Sequence, residues 1–339
     1  MSYFFSATLY LVERFIMRAA WYTKNGEARD VMMVGEWPTP TPAAGEVLVR
    51  LATSGVNPSD VKSRRTRTVT KPVIPHSDGA GVIEAVGLGV PPARVGERVW
   101  VWNGQWNRPY GTAAEAIALP SAQAVALPNN TDFAAGACFG IPLLTALQAV
   151  HLAGDIRGKQ VLVTGASSAV GHYITQLVTL AGGHVIGTVG SDTKAAHARA
   201  GGAGDVILYK TESVTERVKS LTKGRGVPVI IDMDFFTTSK GFAEGLLANH
   251  GTVVCYGSNN LEVPVNFRAF LFASVAIKFF LVYDLTPKDR QLLQNQINTL
   301  LAKEQLVHAI GQHFSLEQIA KAHELVEVGQ KIGNVIVDL

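Results

Sequence analysis

The middle of the chain constrains the fold most. Between residues 160 and 256, short segments that are apolar throughout alternate with segments of helical period. Gln160-Val-Leu-Val-Thr164, His184-Val-Ile-Gly-Thr188, Asp205-Val-Ile-Leu-Tyr209, Val229-Ile-Ile-Asp232 and Thr252-Val-Val-Cys-Tyr256 read as strands. Helical patterns run from Ala169 to Leu180, from Asp192 to Ala200 and from Ser213 to Thr222. A strand with no polar alternation has both faces covered, and crossover helices are what cover them. The pattern therefore predicts a doubly wound α/β domain built on a parallel sheet.

The flanking regions differ. From Met17 to about Leu127 the sequence gives short strands broken by Pro and Gly, among them Glu46-Val-Leu-Val-Arg-Leu51, Val82-Ile-Glu-Ala-Val86 and Arg98-Val-Trp-Val-Trp102. No useful helical period appears there before Ala134 to Leu152, so this half reads as irregular and all-β. After Lys278 come helical patterns from Pro287 to Leu301 and from Leu316 to Val328, then a strand from Asn334 to Asp338. That tail is too small for its own domain and is expected to return to the first. A chain of 339 residues accommodates two such domains, 17–140 with 279–339 and 141–278. Residues 1–16 are apolar and aromatic, but their uncharged stretch is too short to span a bilayer, and no cleavage site follows. They read as an extension, with a membrane-surface anchor as the other reading.

Composition excludes several classes of function. With 47% hydrophobic and 17% charged residues the chain is globular rather than disordered. A net charge of +3 and the lack of a basic run interleaved with aromatics argue against nucleic acid as a partner. The basic cluster from Lys62 to Arg67 reads as a solvated loop or a substrate rim. The two cysteines, Cys138 and Cys255, sit among apolar neighbours. They read as buried thiols, with no disulfide framework and no thiolate cluster for a structural zinc, in a reducing, cytoplasmic compartment.

Between the first middle strand and its helix lies Gly165-Ala-Ser-Ser-Ala-Val-Gly171. A dinucleotide pyrophosphate binds at such a turn, where the backbone can approach closely and a helix N-terminus offers free amides. Aligned to G-x-G-x-x-G, Ala166 and Ser168 hold the first two places and only Gly171 matches, so a generic strand–helix turn remains the alternative. An NAD site sets Asp or Glu at the end of the second strand, for the ribose hydroxyls. Here Gly187-Thr-Val-Gly190-Ser191 has no acid, and Lys194 follows, which suits a 2′-phosphate and hence NADPH. Ser191 and Asp192 both suit a helix N-cap. Lys194 could equally be a solvated helix lysine.

Several spaced segments then resemble one family. Gly55-Val-Asn-Pro-Ser-Asp60, Ser77-Asp-Gly-Ala-Gly-Val-Ile-Glu-Ala-Val-Gly87 and Val95-Gly-Glu-Arg-Val99 resemble the medium-chain dehydrogenases/reductases. Gly111-Thr-Ala-Ala-Glu115, Gly140-Ile-Pro-Leu-Leu-Thr-Ala146 and the stretch from Val161 to Leu177 are similar to the zeta-crystallin-like quinone oxidoreductases within it. The resemblance runs from Met17 to Leu339. It implies an α/β protein with an irregular all-β GroES-like catalytic domain and a Rossmann domain. The implied activity is NADPH-dependent reduction of a quinone or an α,β-unsaturated carbonyl.

By the same resemblance, Asn57 and Thr145 lie beside the nicotinamide, and Ser167, Ser168, Ala169 and Val170 hold the pyrophosphate. Gly190, Ser191, Lys194 and Tyr209 surround the 2′-phosphate. Tyr256, Gly257 and Ser258 follow the fifth strand at the ligand edge, Phe279 and Leu281 pair with the carboxamide, and Asn334 is a late cofactor contact. Core packing is the alternative for the phenylalanine. Zinc-dependent relatives bind their metal through a Cys near the first motif and a Gly-His-Glu segment. Here those places read Ser54-Gly-Val-Asn57 and His76-Ser-Asp78, with His76 one position early and read as a lone polar histidine, so no metal is expected. Lys62 resembles a lysine of enone-reducing relatives and would stabilise a developing enolate; a rim lysine is the bland alternative. The apolar stretch from Val275 to Val282 lies at the sheet edge in this topology and is expected to join two copies into a homodimer. A zinc-independent alcohol dehydrogenase and a non-catalytic binding protein, of NADPH or RNA, are the competing readings.

Overall fold

The computed structural model describes residues 16–339, so the proposed extension, Ile16 apart, lies outside the described residues. The described residues divide into two compact units, 16–141 with 308–339 and 142–307.

Along the first unit run β1 (Ile16–Trp21), α1 (Ala28–Val31), β2 (Met33–Pro38), β3 (Glu46–Val56) and α2 (Pro58–Thr66). Then come β4 (Asp78–Val86), β5 (Arg98–Val101), β6 (Ala116–Pro120), β7 (Ala124–Ala126) and α3 (Phe133–Gly136). The second unit holds α4 (Leu144–Ala153), β8 (Gln160–Val163), α5 (Ala169–Leu180), β9 (His184–Val189), α6 (Asp192–Ala200), β10 (Asp205–Leu208) and α7 (Val214–Leu221). It continues with β11 (Val227–Asp232), α8 (Phe235–Thr238), β12 (Leu247–Cys255), α9 (Phe267–Ala273), β13 (Ala276–Phe279) and α10 (Pro287–Ala302). The chain returns to the first unit with β14 (Ile310–Ser315), α11 (Ile319–Val328) and β15 (Asn334–Asp338).

In the second unit the strands line up as β10-β9-β8-β11-β12-β13, and every adjacent pair is parallel. Counted from β8, the order is third, second, first, fourth, fifth, sixth, which is that of the Rossmann dinucleotide fold. The all-apolar strands lie where the pattern put them, with Val161, Leu162, Val163, Ile230, Ile231, Val253 and Val254 sealed from solvent.

The first unit is irregular and mostly β. A seven-stranded sheet runs β14-β15-β3-β4-β5-β7 with β6 added to β3, beside the β1–β2 pair. Alternation along β3 sends Val47, Val49 and Leu51 into one core cluster and Leu48 and Val56 into the other. A period of two therefore lets one strand serve two cores.

Three expectations need correction. A helix does form early: α2 spans nine residues. Asn57 caps it, Pro58 opens it, and Asp60 bonds back to the cap. Its buried positions are Asp60, Val61 and Arg64, so an apolar period could not reveal it. The helix expected from Ala134 to Leu152 is interrupted at 137–138, after which a wider, π-helical stretch, Phe139–Leu143, takes in Pro142, whose missing N–H a regular α-turn would need, and runs directly into α4. The return to the first unit comes at 308 rather than 279. The cause is α10, whose buried stripe Leu293, Ile297 and Leu301 packs against α4.

Candidate active site

In the sheet unit the order of strands reverses between β8 and β11, and ligands of such sheets bind outside the carboxyl ends there. The chain leaves β8 through Gly165, whose φ of +65° is left-handed and whose Cβ, if present, would lie 2.1 Å from the Met233 sulfur. A side chain there would be strained and obstructed. Ser168 caps α5, its Oγ accepting from the Gly171 amide at 2.9 Å. A Cβ on Gly171 would stand 2.1 Å from the Gly165 carbonyl oxygen, so only glycine lets helix and turn pack this closely. Ser167 is buried, while Ser168, Ala169 and Val170 are half-buried at the positive end of α5. Thr164 ties β8 to β11 by donating to Asp232 Oδ1 at 2.7 Å while accepting from the Met233 amide at 2.8 Å.

The end of β9 gathers the residues expected for a phosphate. Ser191 caps α6, its Oγ accepting from the Lys194 amide at 3.4 Å, and Asp192 is exposed in the first turn. A Cβ on Gly190 would meet the Tyr209 hydroxyl at 2.9 Å and Lys210 Cε at 3.4 Å, so both side chains fold over this turn from the end of β10. Lys194 is half-buried, and its ammonium is pushed below the usual lysine range by burial and then by the charge of Lys210. Sequence reasoning missed Lys210; the one available signal was its place next to Tyr209.

At the far end of the sheet, Gly257 passes so close to Met233 that a Cβ would lie 2.5 Å from its carbonyl oxygen. Beside it opens an apolar groove of about 540 Å³ lined by Phe235, Tyr256, Ser258, Phe270 and Phe279 among others. The Tyr256 hydroxyl is buried with no partner among the described residues, and burial raises its pKa. Phe279 is 64% exposed and touches Phe235 edge-on, so core packing fails as an explanation of it. Leu281 is also exposed. Thr145 is buried on α4, which packs against β11 and β12.

The first unit brings together a second set. Asn57 is buried, donating from its amide Nδ2 to Asp78 Oδ2 at 2.8 Å and from its backbone to Asp60 Oδ2 at 2.7 Å. Burial raises both carboxyls, Asp60 to about 7 and Asp78 well above the usual carboxylate range. Lys62, one turn along α2, is exposed. Asn334 is buried and donates to the Ala309 carbonyl at 3.0 Å. His76 is not a lone histidine: its Nδ1 lies 2.8 Å from Ser54 Oγ, and its Nε2 lies 2.9 Å from Nε2 of His323 on α11. Burial lowers both imidazoles, His76 to about 3. Among the described residues no three His, Cys, Asp or Glu side chains are grouped to hold a metal ion, and no helix is long and apolar enough to cross a membrane.

Residues 43–129 match the family described as alcohol dehydrogenase GroES-like domain, and residues 169–299 match that described as zinc-binding dehydrogenase. A quinone oxidoreductase of Rattus norvegicus is 29% identical over 329 residues, 95% of this chain and 98% of that protein. Among solved structures, a mycobacterial protein complexed with NADPH is 27% identical with a TM-score of 0.83, covering 95% of this chain and 100% of that one. A quinone oxidoreductase of Pseudomonas syringae is 28% identical with a TM-score of 0.84, at the same coverage.

Proposed function

The chain belongs to the medium-chain dehydrogenase/reductase family, within its quinone oxidoreductase branch, and on that premise we propose that it reduces a quinone or an α,β-unsaturated carbonyl with NADPH and without metal. One observation carries the reading: the Tyr209 hydroxyl and Lys210 close on Gly190, Lys194 in the next helical turn feels the charge of Lys210, and no carboxylate stands between Gly187 and Ser191 where an NAD site has one. The glycines at 165 and 171 let the turn close tightly on the N-terminus of α5, whose free amides suit a pyrophosphate.

When bound, the cofactor supplies the hydride. The chain's own residues do the rest. Ser167, Ser168, Ala169 and Val170 hold the pyrophosphate at the N-terminus of α5. Gly190, Ser191, Lys194, Tyr209 and Lys210 hold the 2′-phosphate. Thr145, Tyr256, Gly257, Ser258, Phe279 and Leu281 flank the nicotinamide half. In the other unit Asn57 and Asn334 serve the cofactor, and Lys62 stabilises charge that develops on the acceptor oxygen.

Two further points belong to the same reading. Two copies pair edge to edge along β13. The buried thiols of Cys138 and Cys255 suit a reducing, cytoplasmic compartment.

Stopped-flow oxidation of NADPH across a panel of quinones and enones, before and after exhaustive chelation, tests the function. The expected result is turnover with at least one acceptor class, unchanged by the chelator. No oxidation with any acceptor, or loss of activity with stoichiometric release of zinc, overturns it.

A further inference from the structure

The chain passes between its units twice. At 141–142 it is inside the helical stretch Phe139–Leu143. At 307–308 it is outside any helix or strand, because α10 has ended at Ala302 and β14 begins only at Ile310. Both backbone groups of Val307, the last residue of the second unit, are nevertheless paired, and by one side chain of α5. The Val307 amide donates to Gln176 Oε1 at 2.8 Å, and Gln176 Nε2 donates to the Val307 carbonyl at 3.1 Å. The glutamine amide thus meets the crossing as a neighbouring strand would.

Gln176 is buried, and so is His172 one helical turn before it. Val307 fixes the orientation of the glutamine amide, since an N–H can only donate and a carbonyl can only accept. Nε2 is therefore the atom that lies 3.0 Å from His172 Nδ1, and because it can only donate, that Nδ1 is bare. The His172 ring stacks on that of His197 in α6, with centroids 4.0 Å and planes 12° apart. It packs so closely on Gly201 that a Cβ there would stand 2.9 Å from His172 Nε2. The cluster joins the crossing to α5 and α6, the helices that begin at the two phosphate turns. A proton on His172 Nδ1 would set N–H against N–H. The glutamine amide cannot turn over to receive it without losing both bonds to Val307. A charge on His172 and the pairing with Val307 therefore exclude each other.

We propose that Gln176 is a positioning residue of this enzyme: it latches the crossing at Val307 to the cofactor-binding helix, and a proton on His172 opens the latch. The assignment rests on reading α5 as the helix that holds the pyrophosphate. Lys62, which acts on the acceptor, belongs to the first unit, while most cofactor contacts belong to the second. Opening the latch therefore costs turnover rather than NADPH affinity.

Burial, and then the charge of His197, lowers His172 to about 4, so the latch is closed at neutral pH. His197, itself lowered by burial, is the titratable group that faces it from α6. His308, which follows Val307, is also held to about 4 but faces Phe139 and Asp132. The charged form of His172 belongs to the open state, so acid opens the latch. Turnover is expected to hold from neutral pH downward and to fall as pH drops through about 4.

Hydrogen exchange of the full-length protein without cofactor, corrected for intrinsic rates, reads the latch directly. The Val307 amide is expected to be protected at neutral pH and to lose protection on the order of tenfold as pH falls through about 4. Gln176→Met keeps the length of the side chain but cannot pair with the backbone. It should expose that amide at neutral pH and lower kcat on the order of tenfold, with NADPH affinity unchanged. His172→Asn keeps an acceptor near the place of Nδ1 but takes up no proton. It should keep neutral turnover and abolish the acid loss of protection, which decides the matter even if Gln176→Met fails to fold. Wild-type protection of Val307 in Gln176→Met, NADPH affinity falling together with turnover, or an acid loss of protection that persists in His172→Asn overturns the assignment while leaving the reductase standing. A wild-type protein that oxidises NADPH with no acceptor removes the reductase reading and the positioning role with it, while the exchange result still judges the latch.

Discussion

Replacing Lys194 with alanine should weaken NADPH and leave NADH alone. The 2′-phosphate carries between one and two negative charges near neutral pH. A unit charge pair about 4 Å apart at an effective dielectric of about 20 is worth on the order of 4 kcal/mol. Lys194 is only half-buried, so solvent screens part of this, and about 1.5–3 kcal/mol, the range for a hydrogen bond to a charged group, is the defensible figure. That corresponds to roughly a 10- to 150-fold rise in the NADPH Kd. Lys210 is exposed and should contribute less, about two- to fivefold, as surface pairs do. Titrating cofactor fluorescence on wild type, Lys194→Ala and Lys210→Ala measures both. The difference should shrink as salt is raised. It should also shrink at alkaline pH sooner than for an ordinary lysine, because burial and Lys210 hold the Lys194 ammonium low and its charge is lost first. Equal weakening of NADH and NADPH, or no weakening of either, would refute the assignment of this turn to the 2′-phosphate.

Other outcomes follow from the same structure. Lys62→Ala should lower kcat/KM on the order of 10²-fold through lost charge stabilisation, with NADPH affinity nearly unchanged; unaltered steady-state rates would leave Lys62 a rim charge. Glu327→Ala should unfold the first unit on the order of 10 °C earlier by calorimetry, because Arg64 is sealed from solvent, bonds Glu327 and the Gly26 carbonyl, and would lose its counter-charge. A shift too small to resolve would mean that water reaches Arg64. The protein should scatter light as a dimer at micromolar concentration and Phe272→Glu as a monomer. Every residue of α9 is accessible despite its Phe-Arg-Ala-Phe-Leu-Phe-Ala sequence, and β13 is an exposed edge beside it; a monomeric wild type defeats this.

How legible the sequence was depended on how each feature is encoded. The parallel sheet was written in apolar runs, which only burial on both faces explains, and α5 and α6 fell on their predicted limits because serines at 168 and 191 mark their starts. The tail misled because the stripe of α10 says only that the helix packs, not on which unit. On the ligand side, Gly165 and Gly171 lie within one local turn and Gly190 and Lys194 within another, so spacing reveals them. Lys210 needed the return of β10 beside β9, and the pairing of Asn57 with Asp78 needed β4 beside β3. Local sequence holds no record of such pairings. For α2 the signal was inverted, since Asp60 and Arg64 are polar residues on the buried face.

That buried polarity has a definite order. The Thr112 hydroxyl lies 2.5 Å from the Asp78 carbonyl oxygen, and a carbonyl can only accept, so Thr112 donates there. Ser54 Oγ, 2.8 Å from Thr112 Oγ1, must then donate to it and is left to accept from His76 Nδ1. His76 is neutral in its buried site and has one proton, now on Nδ1, so its Nε2 is bare and accepts from His323 Nε2. His323, also held neutral by burial, keeps its Nδ1 unprotonated and without a partner among the described residues. A single line of donors thus runs from α11 through β3 to the backbone of Asp78, whose carboxyl anchors Asn57. A hydroxyl at position 54 suits this line because it accepts and donates at once, where a thiol would do both weakly. Ser54 is thus the link that connects α11 to the N-terminus of α2.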